Sequence, residues 1–170
     1  TLIGTTDGRS SNEDTVTFVG DSSLYAIDAR VIMRPTGNAN RELILQGEYF
    51  RRDEDGHYSD TENSASNVNF NDTTTGYYAQ AVLKTSPAVR VGVRYSKLGA
   101  AGVPSGLVGT ALDSSGHDPV AYSFMTDWTS SEYGRIRLQY NREEFSQDDA
   151  DNQFVLQYIV SLGAHGAHPF

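Results

Sequence analysis

The sequence predicts an all-β fold of antiparallel strands, because apolar side chains recur at every second position in segment after segment. The closing segment has this period most clearly. Its apolar positions are Phe154, Leu156, Tyr158, Val160 and Leu162. Short turns and long polar stretches alternate between the segments, and no segment has the 3.6-residue period of an amphipathic helix.

Seven segments are predicted to be strands, each alternating apolar residues with polar or charged ones. Their ranges are 25–34, 42–49, 77–84, 89–95, 120–128, 135–140 and 154–170. The first of them carries Tyr25, Ile27 and Ala29 on one side and Asp28 and Arg30 on the other. The alternation predicts a sheet with one apolar and one polar face.

Connections of two lengths alternate between these strands. The short ones are 35–40, 86–87 and 129–131, and the long polar ones are 52–75, 97–118 and 146–152. Short turns on one side and long loops on the other are typical of an up-and-down transmembrane β-barrel. We therefore expect the short turns on the periplasmic side and the long loops outside the cell. Residues 1–21 are expected to form an outer loop and an extension of the first strand.

An aromatic residue stands at the loop end of every apolar face. These residues are Tyr25, Tyr49, Tyr77, Tyr95, Tyr122, Tyr140 and Phe154. Rings with an apolar body and a polar tip favour the membrane–water interface, where barrels carry aromatic girdles. Trp128 and Phe170 are expected to begin the opposite girdle. A soluble β-sandwich is the alternative, since it also alternates, but it does not require an aromatic at one consistent end of each strand.

Composition excludes several classes of function. The chain has no cysteine, so a disulfide framework and a thiolate metal site are ruled out. Its net charge of −9 disfavours a nucleic-acid partner.

Bacterial single-chain barrels have an even number of strands. The seven predicted strands are an odd number, so the chain is predicted to be the C-terminal part of a larger barrel. A complete eight-stranded barrel is the alternative.

The polar face is predicted to line the lumen. Its charged residues are Arg30, Arg34, Glu42, Glu48, Lys84, Arg90, Arg94, Asp127, Arg135 and Arg137. Opposite charges on adjacent strands can pair. The expected pairs are Arg34 with Glu42, Glu42 with Lys84, Arg90 with Asp127, and Asp127 with Arg135. They form either an ion-pair ladder that fills a narrow barrel or a charged constriction in a wider pore, in which Arg30, Arg94 and Arg137 favour anions.

The long connections hold weak metal candidates. Asp53, Asp55 and His57 lie in one of them and His117 in another, and such ligands can bind calcium or zinc. The spacing fits no EF-hand, so solvated acidic loops are the simpler interpretation and no cofactor is expected. Ser114, His117 and Asp118 are neighbours, but closeness along a loop does not make a catalytic triad, and no enzymatic activity is expected.

The ending FVLQYIVSLGAHGAHPF resembles the closing strand of a family of proteobacterial outer-membrane barrels, porin-like proteins that include zinc-regulated outer-membrane receptors. In that family the last strand carries the signal read by the barrel-assembly machinery. The resemblance implies that Tyr158, Val160, Leu162 and Phe170 carry the signal here. It also implies an outer-membrane location in a Gram-negative bacterium, with lipid, lipopolysaccharide, the assembly machinery and the rest of the barrel or other subunits as partners.

The expected function is a porin-like channel for small solutes or ions. A non-conducting barrel that serves as an anchor or binds ligands through its outer loops is the alternative. A soluble β-sandwich that acts as a binding module is the third hypothesis.

Overall fold

The computed structural model describes residues 2–11 (backbone only), 15–38, 40–110, 112–131, 133–146 and 149–160. Within them the chain forms eight strands, β1 (Leu2–Ser11), β2 (Val16–Met33), β3 (Glu42–Asp60), β4 (Ala65–Lys84), β5 (Val89–Leu98), β6 (Val120–Ser131), β7 (Gly134–Glu144) and β8 (Ala150–Val160). Each strand pairs antiparallel with its neighbours in sequence, in one sheet ordered β1 to β8. The predicted all-β, antiparallel, up-and-down architecture is confirmed.

The sheet is open over the part of the chain that the structure describes. Strands β1 and β8 form its two edges, and each pairs with a single neighbour. Strands β2 to β8 correspond to the seven predicted strands, and β1 adds another at the N-terminal edge. The last part of the predicted closing strand, 161–170, lies outside the described residues, and with it Leu162 and Phe170.

The predicted long loop at 52–75 is wrong. Strand β3 continues to Asp60 and β4 begins at Ala65, with paired register down to Tyr58 and Val68. Charged and hydroxyl side chains occupy this extension and hide its period of two, whereas main-chain hydrogen bonds form regardless of side-chain polarity. The outer loop expected within 1–21 is wrong for the same reason, because β1 pairs with β2 from Leu2 to Ser11. The expected extension of the first strand corresponds to the beginning of β2 at Val16.

The β5–β6 connection is the long loop that the sequence places correctly in this part of the chain. It runs between Leu98 and Val120 and contains a short 3₁₀ helix, Ser105–Leu107. The β7–β8 connection is shorter than expected, since β7 ends at Glu144 and β8 begins at Ala150.

A small apolar core lies on the extended ends of β2, β3 and β4. Phe18, Tyr58 and Phe70 are buried there, and the rings of Phe18 and Phe70 meet edge to face at 6.5 Å. The unbroken register places Phe18 on the same face of β2 as Asp28. Leu107 of the β5–β6 loop is fully buried against this core. The loop therefore folds back over the polar side of the sheet.

Polar contacts fix both ends of the β5–β6 loop. Asp118 accepts a hydrogen bond from the Ala100 amide at 2.7 Å and pairs with the Lys97 ammonium at 2.8 Å. The hydrogen bond from Lys97, followed by that from Ala100, lowers the pKa of Asp118 below its ordinary value of 3.8. The stabilisation from this carboxylate is therefore complete above that value and is lost as the pH falls through the lower folded pKa.

Replacing Leu107 by Ala should release the loop from the sheet. The change removes a fully buried side chain and leaves a cavity, which costs about 2–5 kcal/mol in a packed core. Hydrogen exchange of the amides between Leu98 and Val120 should accelerate. Val108→Ala is the matched control, because that neighbouring side chain is 65% exposed. Equal exchange rates in the two variants would contradict this packing.

Candidate functional site

The two faces of the sheet differ in chemistry across β2 to β8. The apolar face carries the aromatic residues predicted for the girdle, and the polar face carries every charged residue predicted for the lumen. The separation follows from the antiparallel register, which keeps directly paired residues on the same side of the sheet.

Aromatic rings form one row across the apolar face. Three pairs lie directly opposite each other in the register: Tyr49 with Tyr77, Tyr95 with Tyr122, and Tyr140 with Phe154. Ring centroids are 5.2 Å apart for Tyr95 and Tyr122 and 4.9 Å apart for Tyr140 and Phe154. Tyr77 and Tyr95 continue the row between pairs at 6.0 Å.

The aromatic row crosses the strands at a constant slant. Between β2 and β3, between β4 and β5, and between β6 and β7, the aromatic residue on the later strand is displaced by two residues along the strands. The displacement has the same direction each time. Such a step over two strands is about 6.6 Å along the strands and about 9.6 Å across them, so the strands are inclined by about 35° to the normal of the row. The aromatic residues that the sequence places at a common height therefore form a row of constant slant across the sheet.

The apolar face below this row is widely exposed. Its exposed large side chains are Ile27, Val31, Met33, Leu45, Leu83, Val93, Phe124, Trp128, Leu138, Leu156, Tyr158 and Val160. Tyr122 lies near the beginning of β6 and Trp128 near the other end of the same strand, where the second girdle is expected. A continuous apolar surface of this kind needs a cover, since soluble monomers rarely expose one.

A row of charged residues crosses the polar face in direct register. Its members are Glu42, Lys84, Arg90, Asp127 and Arg137. Arg34 joins it from the end of β2, with its Nε 2.7 Å from the Glu42 carboxylate. The expected Arg34–Glu42 pair is therefore present, and the register brings Glu42 opposite Lys84 and Arg90 opposite Asp127.

Asp127 is the one buried member of this row, with 1% exposure. Arg137 donates to both of its oxygens, from Nε at 2.6 Å and from Nη2 at 2.9 Å. Arg135, the expected partner, is more distant at 3.7 Å. Sequence reasoning missed Arg137 as the main partner because only the register of the β6–β7 hairpin sets it directly opposite Asp127. A bidentate pair of this kind makes two charge-assisted hydrogen bonds.

An apolar row lies next to the charged row on the same polar face. Ile44, Val82, Gly92 and Met125 are paired directly with one another across β3 to β6. A Cβ on Gly92 would stand 2.8 Å from the Met125 Cε, so the missing side chain makes room for the methionine. Sequence reasoning missed this row, because each of its members stands between polar residues two positions away on the same face.

Gln46, Gln80 and Arg94 form the next row, and Tyr78 of the row beyond it contacts Gln46 and Arg94. Gln80 donates to Gln46 at 3.2 Å, and Gln46 donates to the Tyr78 hydroxyl at 3.1 Å. The Arg94 guanidinium lies 3.8 Å above the centre of the Tyr78 ring, and its Nε donates to Ser96 at 3.2 Å. This network fixes the Arg94 side chain over an aromatic surface.

The apolar row and its polar neighbours line a cavity of about 530 Å³ on the polar face. Its floor consists of Ile44, Val82, Gly92 and Met125, and Arg90 and Arg94 lie at its two sides. Arg30, Arg34, Glu42, Glu48, Lys84 and Arg135 share the polar face but do not line this cavity. The structure thus gathers only part of the predicted lumen set into one site.

Two of the four metal candidates, Asp53 and His117, have other partners. Asp53 pairs with Arg51 and accepts from Thr73 at 2.7 Å, and His117 Nε2 lies 3.1 Å from the Glu144 carbonyl. His57 and Asp55 lie on the β3 extension. Over the described ranges, no group of three or more His, Asp and Glu side chains is arranged to hold a metal ion.

No helix in the described part of the chain is long and apolar enough to cross a membrane.

Replacing Asp127 by Asn should destabilise the sheet strongly. The change removes the charge that Arg137 and Arg135 share at a buried position, and breaking such a pair costs about 3–5 kcal/mol. Glu42→Gln is the matched control, because its partner Arg34 is 67% exposed and exposed pairs contribute about 0–1 kcal/mol. Urea unfolding of both variants in detergent measures the difference. A smaller loss for Asp127→Asn than for Glu42→Gln would contradict the stabilising role of the buried Asp127–Arg137 pair.

No protein-family model matches this chain, and no solved structure matches it. The chain is similar to an uncharacterized protein of Aquifex aeolicus (strain VF5), with 29% identity over 163 residues. The match covers 93% of this chain and 33% of the relative, so the chain spans about a third of the relative's length.

Proposed function

We propose that this chain is part of a bacterial outer-membrane β-barrel that conducts small solutes, with anions preferred. In this proposal the apolar face contacts lipid and lipopolysaccharide, and the polar face lines a water-filled lumen. The observation that carries the proposal is the pairing of an exposed apolar face, bordered by one aromatic row, with a charged opposite face. Transmembrane barrels have this division, with aromatic girdles at the membrane interfaces.

Strand geometry supports the same conclusion. Strands of transmembrane barrels are tilted by about 35–45°, and the slant of the aromatic row corresponds to an inclination of about 35°. Strands β5 to β8 have 10, 12, 11 and 11 residues. A tilted strand needs about 9–11 residues to cross a bilayer. A sandwich buries its apolar face under a second sheet and has no need for this row.

The open edges support membership in a larger barrel. Unpaired strand edges are not tolerated in hydrocarbon, so β1 and β8 need partners. The two edges pair with each other in an eight-stranded barrel, or with further strands of the same protein or another subunit, and a relative about three times as long as the matched segment favours the larger barrel. The assembly machinery would read the closing strand through Tyr158 and Val160, as the resemblance of the tail implies.

A non-conducting barrel that binds ligands through its outer loops is the second candidate. It is favoured by the extended ends of β2 to β4 and by the β5–β6 loop, which packs Leu107 over the polar side of the sheet. A loop in that position narrows the outer opening of a barrel. Conductance separates the two candidates.

The full-length protein in planar bilayers should give stepwise currents, with a reversal potential that favours chloride over potassium. Arg30→Glu and Arg94→Glu should shift that potential towards cation preference, because each reverses one charge on the polar face. Arg51→Glu is the control, because Arg51 is paired directly with Tyr25 of the aromatic row and therefore lies on the apolar face, outside the lumen of the proposed barrel. Absence of current from correctly folded protein would defeat the channel and favour the second candidate.

A further inference from the structure

Two arginines beside the cavity on the polar face have unused hydrogen-bond donors. Arg90 and Arg94 line opposite sides of the cavity and, among the described residues, form no ion pair. Arg90 faces Asp127 in the register, but Arg137 and Arg135 already contact that carboxylate. Arg94 uses only its Nε, towards Ser96. Both guanidinium groups thus keep nitrogens that can receive a carboxylate in the bidentate geometry that arginine favours.

The floor between the two arginines is apolar, although it lies on the polar face. Ile44, Val82 and Met125 are half-buried, and Gly92 is buried beneath the methionine. Apolar side chains exposed to a water-filled lumen are stabilised when an apolar solute covers them, because covering removes apolar surface from water. The methionine is the side chain best able to adapt to solutes of different shape.

From this arrangement we infer that the cavity binds carboxylates with an apolar body, such as aromatic or aliphatic acids, between Arg90 and Arg94. The carboxylate pairs with a guanidinium, and the apolar body lies on Ile44, Val82 and Met125. The volume of about 530 Å³ is within the range of small-molecule sites, about 300–1,000 Å³. Simple anions would use only the arginines and leave the floor uncovered.

This inference deepens the proposed function, since it names the class of solute that the channel would select. It rests on that proposal only for the assignment of the polar face to the lumen. Equilibrium binding therefore tests the site separately from conductance.

The test is isothermal titration calorimetry of the full-length protein, folded in detergent, with sodium benzoate, sodium acetate and benzamide as probes. Benzoate should bind at least about tenfold more tightly than acetate, which lacks the apolar body, and than benzamide, which lacks the charge. Arg94→Gln and Arg90→Gln should each weaken benzoate binding by about tenfold, the loss expected for one charge-assisted contact.

Two further variants separate a local site from a general positive field. Arg30→Gln removes the same charge from the same face, away from the cavity, and should leave benzoate affinity unchanged. Met125→Ser should weaken benzoate and leave acetate unchanged. Heat-modifiable migration on gels verifies that each variant folds. If Arg90→Gln does not fold, benzoate binding by Arg94→Gln alone tests the site, because Arg94 has no part in the charged row.

Equal affinity for benzoate and acetate, or for benzoate and benzamide, would overturn the inference. An equal loss in Arg30→Gln and Arg94→Gln would overturn it as well, since it would reduce the effect to overall charge. Benzoate binding by a protein that carries no current would leave the site standing and defeat the channel. Current without selective benzoate binding would defeat the site alone.

Discussion

The two faces of this sheet depend on the antiparallel register from β2 to β8, which shifts near strand ends, between Tyr58 and Asp60 and between Thr129 and Ser131. Because the register preserves side-chain parity from strand to strand, single apolar or charged residues add up to continuous rows. A shift of one residue in any hairpin would move all side chains of that strand to the opposite face. It would break the aromatic row and carry charges onto the apolar face. The two chemically distinct faces are thus a property of pairing and not of any single residue.

The polar face is organised in rows of residues, and the rows differ in what they contribute to stability and to solute binding. Both carboxylates of the charged row are paired with arginine, Glu42 with Arg34 and Asp127 with Arg137. The apolar row beside it provides no electrostatic contribution and forms the floor of the cavity. Arg90 and Arg94 stand at the boundaries of that floor with donors to spare. Structural ion pairs and a solute site can therefore coexist on adjacent rows, since a pair already satisfied does not compete for a ligand.

Much of the fold was predictable from the sequence because period-two alternation is a local property. The sheet, its order, the aromatic row and the Arg34–Glu42 pair all follow from residue parity. The long extensions of β3 and β4 were not, because polar side chains conceal a strand that is maintained by main-chain hydrogen bonds. The pairing of Asp127 with Arg137, the Gly92–Met125 contact and the burial of Leu107 were also missed. Each depends on contacts between separate strands or loops, which a single sequence does not specify.

The central claim is that the apolar face contacts lipid while the polar face contacts water. The chain has no cysteine, so single cysteines introduced along one strand report on each face without background. In β5, Val91 and Val93 lie on the apolar face, and Arg94 and Ser96 on the polar face. Labelling of these positions by a membrane-impermeant maleimide, in protein reconstituted into liposomes, tests the claim most directly. We expect rapid labelling at Arg94→Cys and Ser96→Cys and protection at Val91→Cys and Val93→Cys, whereas equal labelling on both faces would show that the two faces have the same surroundings.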